Sequence, residues 1–134
     1  MAREHFEIVD PLPLDPPSVV WSPGEWERIQ RGHESSDMDD KWDIVVNDQR
    51  LDFHRSWTGE CIYRAWFSRN SAGWTIARAE VCGESAVYKR ASDAADRLLL
   101  EALIRQELLD EDARELWTKW SEAIRGEHPP TPSD

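Results

Sequence analysis

Between residues 42 and 82, apolar and polar side chains alternate with a period of two, broken by turn residues. That pattern, with turns about every 8–12 residues, is the mark of an antiparallel meander. Trp42, Ile44 and Val46 alternate with Lys41, Asp43 and Val45, and Asn47-Asp48-Gln49 supplies turn chemistry. Leu51, Phe53, Arg55 and Trp57 then alternate with Asp52, His54 and Ser56 before the Thr58-Gly59 turn. The aromatic and β-branched run Cys61 to Ser68, the loop Arg69 to Gly73 and the run Trp74 to Cys82 complete four predicted strands. Setting Val46 opposite Gln49 and Trp57 opposite Glu60 gathers Trp42, Ile44, Leu51, Phe53, Ile62, Trp66 and Ala77 on one face. Asp52, His54, Ser56, Cys61, Tyr63, Arg78 and Glu80 fall on the other. A slip of one residue exchanges the faces of a strand.

The flanks of this segment read differently. Pro11, Pro13, Pro16 and Pro17 exclude helix and central strand, so residues 1–20 are expected as an extended proline-rich arm. Ser22 as N-cap, Pro23 at the first helical position and Glu25 at the third open a short helix that ends before Gly32. Residues 33–40 form a polar, acidic linker. After the strands, Ser92 caps a helix to about Leu108 with Leu98, Leu99, Ala102 and Leu103 on its apolar face. Asp110 is placed to cap a second helix in which Ala113, Leu116, Trp117, Trp120 and Ile124 recur at helical steps, ended by Gly126. The expected fold is α+β: a four-stranded antiparallel meander, two C-terminal helices on one face and a short N-terminal helix. The domain spans residues 21–126, and residues 127–134 are expected as a disordered tail.

Charge separates function classes. The formal net charge is −11, but residues 1–40 hold 3 basic and 10 acidic groups, residues 41–90 hold 8 and 6, and residues 91–134 hold 5 and 11. Acidic flanks surround a mildly basic sheet. Bulk charge of this sign excludes wrapping nucleic acid or sitting on an anionic membrane. No stretch approaches the roughly 20 apolar residues of a membrane span, and the N-terminus lacks a signal peptide's apolar segment. A cytoplasmic protein with reduced Cys61 and Cys82 follows as the expectation. The Cys and His spacings match no zinc template, so neither a metal nor a cofactor is expected.

The string His54-Arg55-Ser56-Trp57-Thr58-Gly59, preceded by Asp40-Lys41-Trp42, Leu51 and Phe53 and followed by Ile62-Tyr63, resembles a small bacterial family built on an HRSWTG core. The resemblance covers roughly residues 21–109. Members of that family stand alone or are attached to ADP-ribosylglycohydrolase-type enzymes, and the family brings no catalytic residues to carry over. Where it often reads V-N-R-D after the fourth strand, this chain has Val81-Cys82-Gly83-Glu84.

Two functions compete at this stage. The first is a non-enzymatic, immunity-like, antitoxin-like or accessory module whose Asp37, Asp39 and Asp40 meet a basic partner protein. The second is recognition or processing of an ADP-ribose- or NAD-like nucleotide on the basic sheet by Trp42, His54, Arg55, Trp57, Thr58, Tyr63, Arg64 and Arg78. Guanidinium groups bind phosphate bidentately and indoles stack on bases. Arg55 also has a purely structural reading, stacked on a neighbouring Trp and paired with a carboxylate. A Cys61–His54 pair across the hairpin is the simplest nucleophilic arrangement, against buried, inert thiols as the alternative. No catalytic residue is assigned. Trp42, Trp66, Trp117 and Trp120 are expected in the core. Trp21 and Trp26 either seal one end of it or form a partner-binding edge.

Overall fold

The computed structural model describes residues 4–127. Its elements are β1 (Pro11–Leu14), α1 (Pro23–Ile29), β2 (Trp42–Asn47), β3 (Arg50–Arg55), β4 (Cys61–Asn70), β5 (Gly73–Cys82), α2 (Asp93–Leu103) with a π-helical turn over Ile104–Leu108, and α3 (Arg114–Glu127). The fold is α+β, with one antiparallel five-stranded sheet in the order β1-β5-β4-β3-β2.

The expected four-stranded meander is present as β2 to β5, and the fifth strand comes from the proline-rich arm. Prolines at alternate positions withhold N–H groups from one edge only. Leu12 and Leu14 keep theirs, which suits an edge strand. Pro11 to Leu14 accordingly pair with Cys82 to Ala79, and Leu14 is buried beneath the sheet's edge. Residues 11–14 of the arm thus add an edge strand to the sheet.

Register decides which side chains meet. β2 and β3 pair Ile44 with Phe53 and Val46 with Leu51, two residues from the expected register, so faces are preserved. β3 and β4 pair Phe53 with Tyr63, one residue from expectation, with a bulge between Phe53 and His54. An extra residue on one strand reverses the face of everything beyond it. Tyr63 and Ala65 therefore join Phe53 and Leu51 on the helix-covered face. Trp66 moves to the opposite face, where the Arg78 guanidinium lies 4.6 Å from its ring centroid, and Ala77 is exposed. Trp66 is only half-buried, not core.

The core lies between this face and the helices. Trp21 and Trp26 are buried in it, Trp26 stacking on Trp74 with ring centroids 4.4 Å apart. Trp42, Trp117 and Trp120 pack against it partly exposed. The Ser22 capping box forms as read, and Ser92 Oγ accepts from Ala95 N. At the end of α2 the chain widens into a π turn, with Leu109 N donating to Ile104 O. Asp110 then takes a positive φ of 53°, four residues before α3 opens at Arg114, which is too early to cap it. Asp112 does that work instead, accepting from Arg114 N at 2.9 Å. α3 packs chiefly on α2 rather than on the sheet, and it runs to Glu127, past Gly126. The expected tail from residue 128 onward lies outside the described residues. Among the described residues no helix is long and apolar enough to cross a membrane.

Candidate functional site

The β3–β4 turn is built to hold Arg55 and Trp57 apart from the rest of the sheet. Gly59 N donates to Arg55 O and Arg55 N to Glu60 O, closing the turn. Gly59 sits at φ +79°, and a Cβ there would meet Glu4 O at 2.1 Å, so only glycine fits. Ser56 N donates to Lys41 O, Ser56 Oγ to Asp40 O at 2.8 Å, and Trp57 Nε1 to Met38 O at 3.0 Å. These bonds fasten the turn to the segment that leads into β2. Between them lies a cleft of about 260 Å³ lined by Lys41, Arg55, Trp57 and Thr58. Trp57 is 68% exposed, a large indole held in place yet covered by nothing.

Arg55 forms the inner wall. Its guanidinium carbon lies 5.8 Å from the ring centroid of Trp42 and 5.8 Å from that of Tyr88. Among the described residues no carboxylate stands within ion-pair distance of it, and its buried Nε has no hydrogen-bond partner. The structural reading of Arg55 is therefore half realised: the aromatic stacking is present and the carboxylate is not.

Tyr88 is fixed from behind by a buried polar cluster. Asp96, 1% exposed, accepts from Tyr63 Oη at 2.6 Å, Tyr88 Oη at 2.7 Å and Arg90 Nε at 2.8 Å. Burial, and then the neighbouring Tyr88 and the Asp96 charge, raise the Tyr63 phenol well above its ordinary range. Burial and the Asp96 charge likewise raise Tyr88. Both remain protonated donors, and the Trp42–Arg55–Tyr88 stack rests on a rigid base.

The opposite face accounts for the remaining sheet residues. His54 is buried, its Nδ1–H donating to Gly59 O at 3.0 Å, with the His5 ring 4.5 Å away. Burial lowers its pKa from 6.5. Arg64 is held between Asp52 and Glu7, both at 2.9 Å, and Arg78 pairs with Glu80. Three of the eight expected ligand residues, His54, Arg64 and Arg78, thus lie across the sheet from Arg55. Tyr63 supports the site without lining it, whereas Trp42, Arg55, Trp57 and Thr58 do come together.

Cys61 stands opposite His54 across the hairpin, as nucleophilic chemistry would need. Yet its Sγ donates to Tyr63 O and burial pushes the thiol up to about 12. A thiol that stays protonated at neutral pH is a poor nucleophile. Cys82 is also buried and free. In the acidic linker, Asp37 Oδ1 accepts from Asp39 N and Asp40 N, and Asp40 Oδ2 lies 2.7 Å from His33 Nε2. Asp37 and Asp40 are occupied in shaping the loop, and Asp39 alone of the three projects unengaged by its carboxylate.

Sequence reading missed Lys41, Tyr88, Arg90 and Asp96. Lys41 precedes the alternating strand, Tyr88 and Arg90 lie in a connection without period, and Asp96 opens a helix whose legible signal is its apolar face. An Asp in the first turn of α2, six residues past Arg90, was the one available hint. No family model matches the chain, and neither a curated protein nor a solved structure matches it.

Proposed function

We propose that this chain is a binding protein for a small anionic ligand carrying a flat ring, of the ADP-ribose or NAD-like class, seated against Arg55 and Trp57. The observation that carries the reading is the half-buried Arg55 guanidinium, aromatic on two sides, with no carboxylate partner among the described residues and a buried Nε left without an acceptor. A phosphate supplies the missing acceptors, bidentately. Lys41 adds a second cation and Trp57 an exposed stacking surface. The resemblance around His54 to Gly59 points to the same ligand class. No reaction is assigned, since Cys61 and His54 are disposed as structural groups.

Thermal shift and calorimetry with ADP-ribose, NAD, AMP and pyrophosphate test the reading. Saturation at 100 times Kd stabilises a protein by about 2.7 kcal/mol. Arg55→Met is expected to weaken binding more than tenfold. Trp57→Ala removes a stacking contribution of roughly 1–3 kcal/mol for ring-bearing ligands and leaves pyrophosphate unaffected. No stabilisation by any of the four at millimolar concentration defeats the proposal.

The partner-protein reading keeps one observation of its own. Met38, 75% exposed, adjoins Trp57 and is flanked by Asp37 and Asp39. An apolar pair with an acidic rim suits a basic partner. Charge reversal at Asp37 and Asp39 with Met38→Asp tests it: partner recovery from a native lysate unchanged by these substitutions counts against the idea.

A further inference from the structure

His33, Asp40 and Glu107 come from three separate segments and place three donor atoms within 4.8 Å of one another. His33 Nε2 lies 2.7 Å from Asp40 Oδ2 and 3.2 Å from Glu107 Oε2. One ring nitrogen carries at most one hydrogen, so it cannot make a full hydrogen bond to each of two carboxylates. Two carboxylates facing one imidazole also need a positive charge between them, from the ring itself or from a bound cation. From these residues we propose a binding site for a divalent transition cation, of the Zn²⁺ or Mn²⁺ type, with His33 Nε2, Asp40 Oδ2 and Glu107 Oε2 as its ligands.

The separations suit it. With bonds of about 2.0–2.2 Å, neighbouring ligand atoms on one ion stand about 2.9–3.5 Å apart. The observed 2.7 and 3.2 Å lie close to this range, and Asp40 Oδ2 lies within 4.8 Å of Glu107 Oε2. One imidazole with two carboxylates is a borderline-hard set, suited to Zn²⁺, Mn²⁺ and Co²⁺ rather than to Cu⁺.

Each ligand is held by its backbone. His33 is pinned to β2 by two hydrogen bonds, His33 N to Ile44 O at 3.0 Å and Ile44 N to His33 O at 2.7 Å. Gly32 before it has φ +67°, and a Cβ would meet Ile44 O at 2.6 Å, so the approach depends on glycine. Asp40 is fixed by the Asp37 turn, with Ser36 N donating to its Oδ2 at 3.3 Å. Glu107 projects from the π turn, a distortion frequent at functional sites because it re-aims a side chain. Asp40 and Glu107 also line an open cleft of about 380 Å³, which admits water to complete a coordination shell. The site adjoins the Arg55 cleft and shares Lys41 with it, but none of its three ligands lines that cleft.

The test is calorimetric titration of the chelator-treated full chain with Zn²⁺, repeated with Mn²⁺, alongside His33→Ala, Glu107→Gln and Arg55→Met. Far-UV circular dichroism confirms that each variant is folded. The expected result is one saturable equivalent in the native chain, at least tenfold weaker in both His33→Ala and Glu107→Gln and unchanged in Arg55→Met. Glu107→Gln preserves size and one acceptor oxygen while removing the carboxylate charge, so with the fold confirmed by circular dichroism its effect reports coordination. No saturable uptake of either ion by the native chain overturns the proposal, as does equal uptake by native chain and Glu107→Gln.

Discussion

Asp96→Ala is the substitution that most directly tests the base under Arg55. It strips the acceptor from three donors at once: Tyr63 Oη at 2.6 Å, Tyr88 Oη at 2.7 Å and Arg90 Nε at 2.8 Å. Hydrogen bonds to a charged group contribute roughly 1.5–3 kcal/mol each, but they are not additive. Removing one partner of a buried ion pair costs about 3–5 kcal/mol. Two features favour the lower end of that range. The tyrosine hydroxyls, 2.9 Å apart, can bond to each other, and Arg90 keeps Asp93 and access to water. The expected loss is about 3 kcal/mol. Urea unfolding followed by circular dichroism reads it as a midpoint lowered by about 1–3 M for an m-value near 1–3 kcal/mol/M. A cycle with Tyr63→Phe isolates the cluster: the double variant should lose at least about 1 kcal/mol less than the two single losses together. A loss below about 1 kcal/mol, or additivity within about 0.5 kcal/mol, refutes the claim that Asp96 anchors these tyrosines.

Three further outcomes are expected. Cys61, Tyr63 and Tyr88 all titrate higher in the folded chain than unfolded, because burial disfavours their anions. The folded state then holds more protons, so stability is full below about pH 9 and falls as pH rises toward 12, by up to about 1.4 kcal/mol per unit for each group; alkaline urea titrations check it, and Cys61 should resist alkylation at pH 8 until the chain unfolds. His54 has the opposite sign: its folded pKa is lowered by burial, so stability is full above 6.5 and falls as pH drops below it, with an NMR ring titration midpoint under 6.5. Gly59→Ala should cost more than about 1 kcal/mol and free residues 4–6 from the turn, read as faster hydrogen exchange at Phe6 N, which donates to Gly59 O at 2.9 Å.

What could be read from residue order was whatever depends on local chemistry. The Ser22 capping box, the Ser92 cap and the strand alternation each declare themselves within four or five residues, and each is present. Two departures have one kind of cause. The bulge between Phe53 and His54 has no residue signature, yet it moves Tyr63 to the helix face. Pro11 and Pro13 mark a segment unfit for a central strand, and position at an edge is a tertiary fact. The site divided in the same way. Trp42 and Arg55 face each other across β2 and β3, and Trp57 and Thr58 follow in the β3–β4 turn, so alternation and turn chemistry bring them together. Tyr88, Asp96 and Glu107 arrive from helices and connections whose docking no short spacing encodes.

Net charge alone argues against an anion site on this chain, but its arginines are not paired alike. Six arginines are half-buried, and a half-buried guanidinium ordinarily needs a carboxylate. Arg50, Arg64, Arg90 and Arg105 have one, at 2.8–3.1 Å. Among the described residues Arg55 and Arg97 do not, and both carry a buried Nε without an acceptor. Arg97 shares its cleft with Glu101, which supplies negative charge nearby. The Arg55 cleft is lined by Lys41, Trp57 and Thr58, with no acid among them. The acidic segment at residues 37–40 adjoins the cleft through Met38 O and Asp40 O without contributing a carboxylate to its lining. Much of the charge of the acidic flanks is bound up with Arg90, Arg105, Arg114 and His33, and among the described residues Arg55 is a half-buried cation without a carboxylate partner, as the proposed anion site requires.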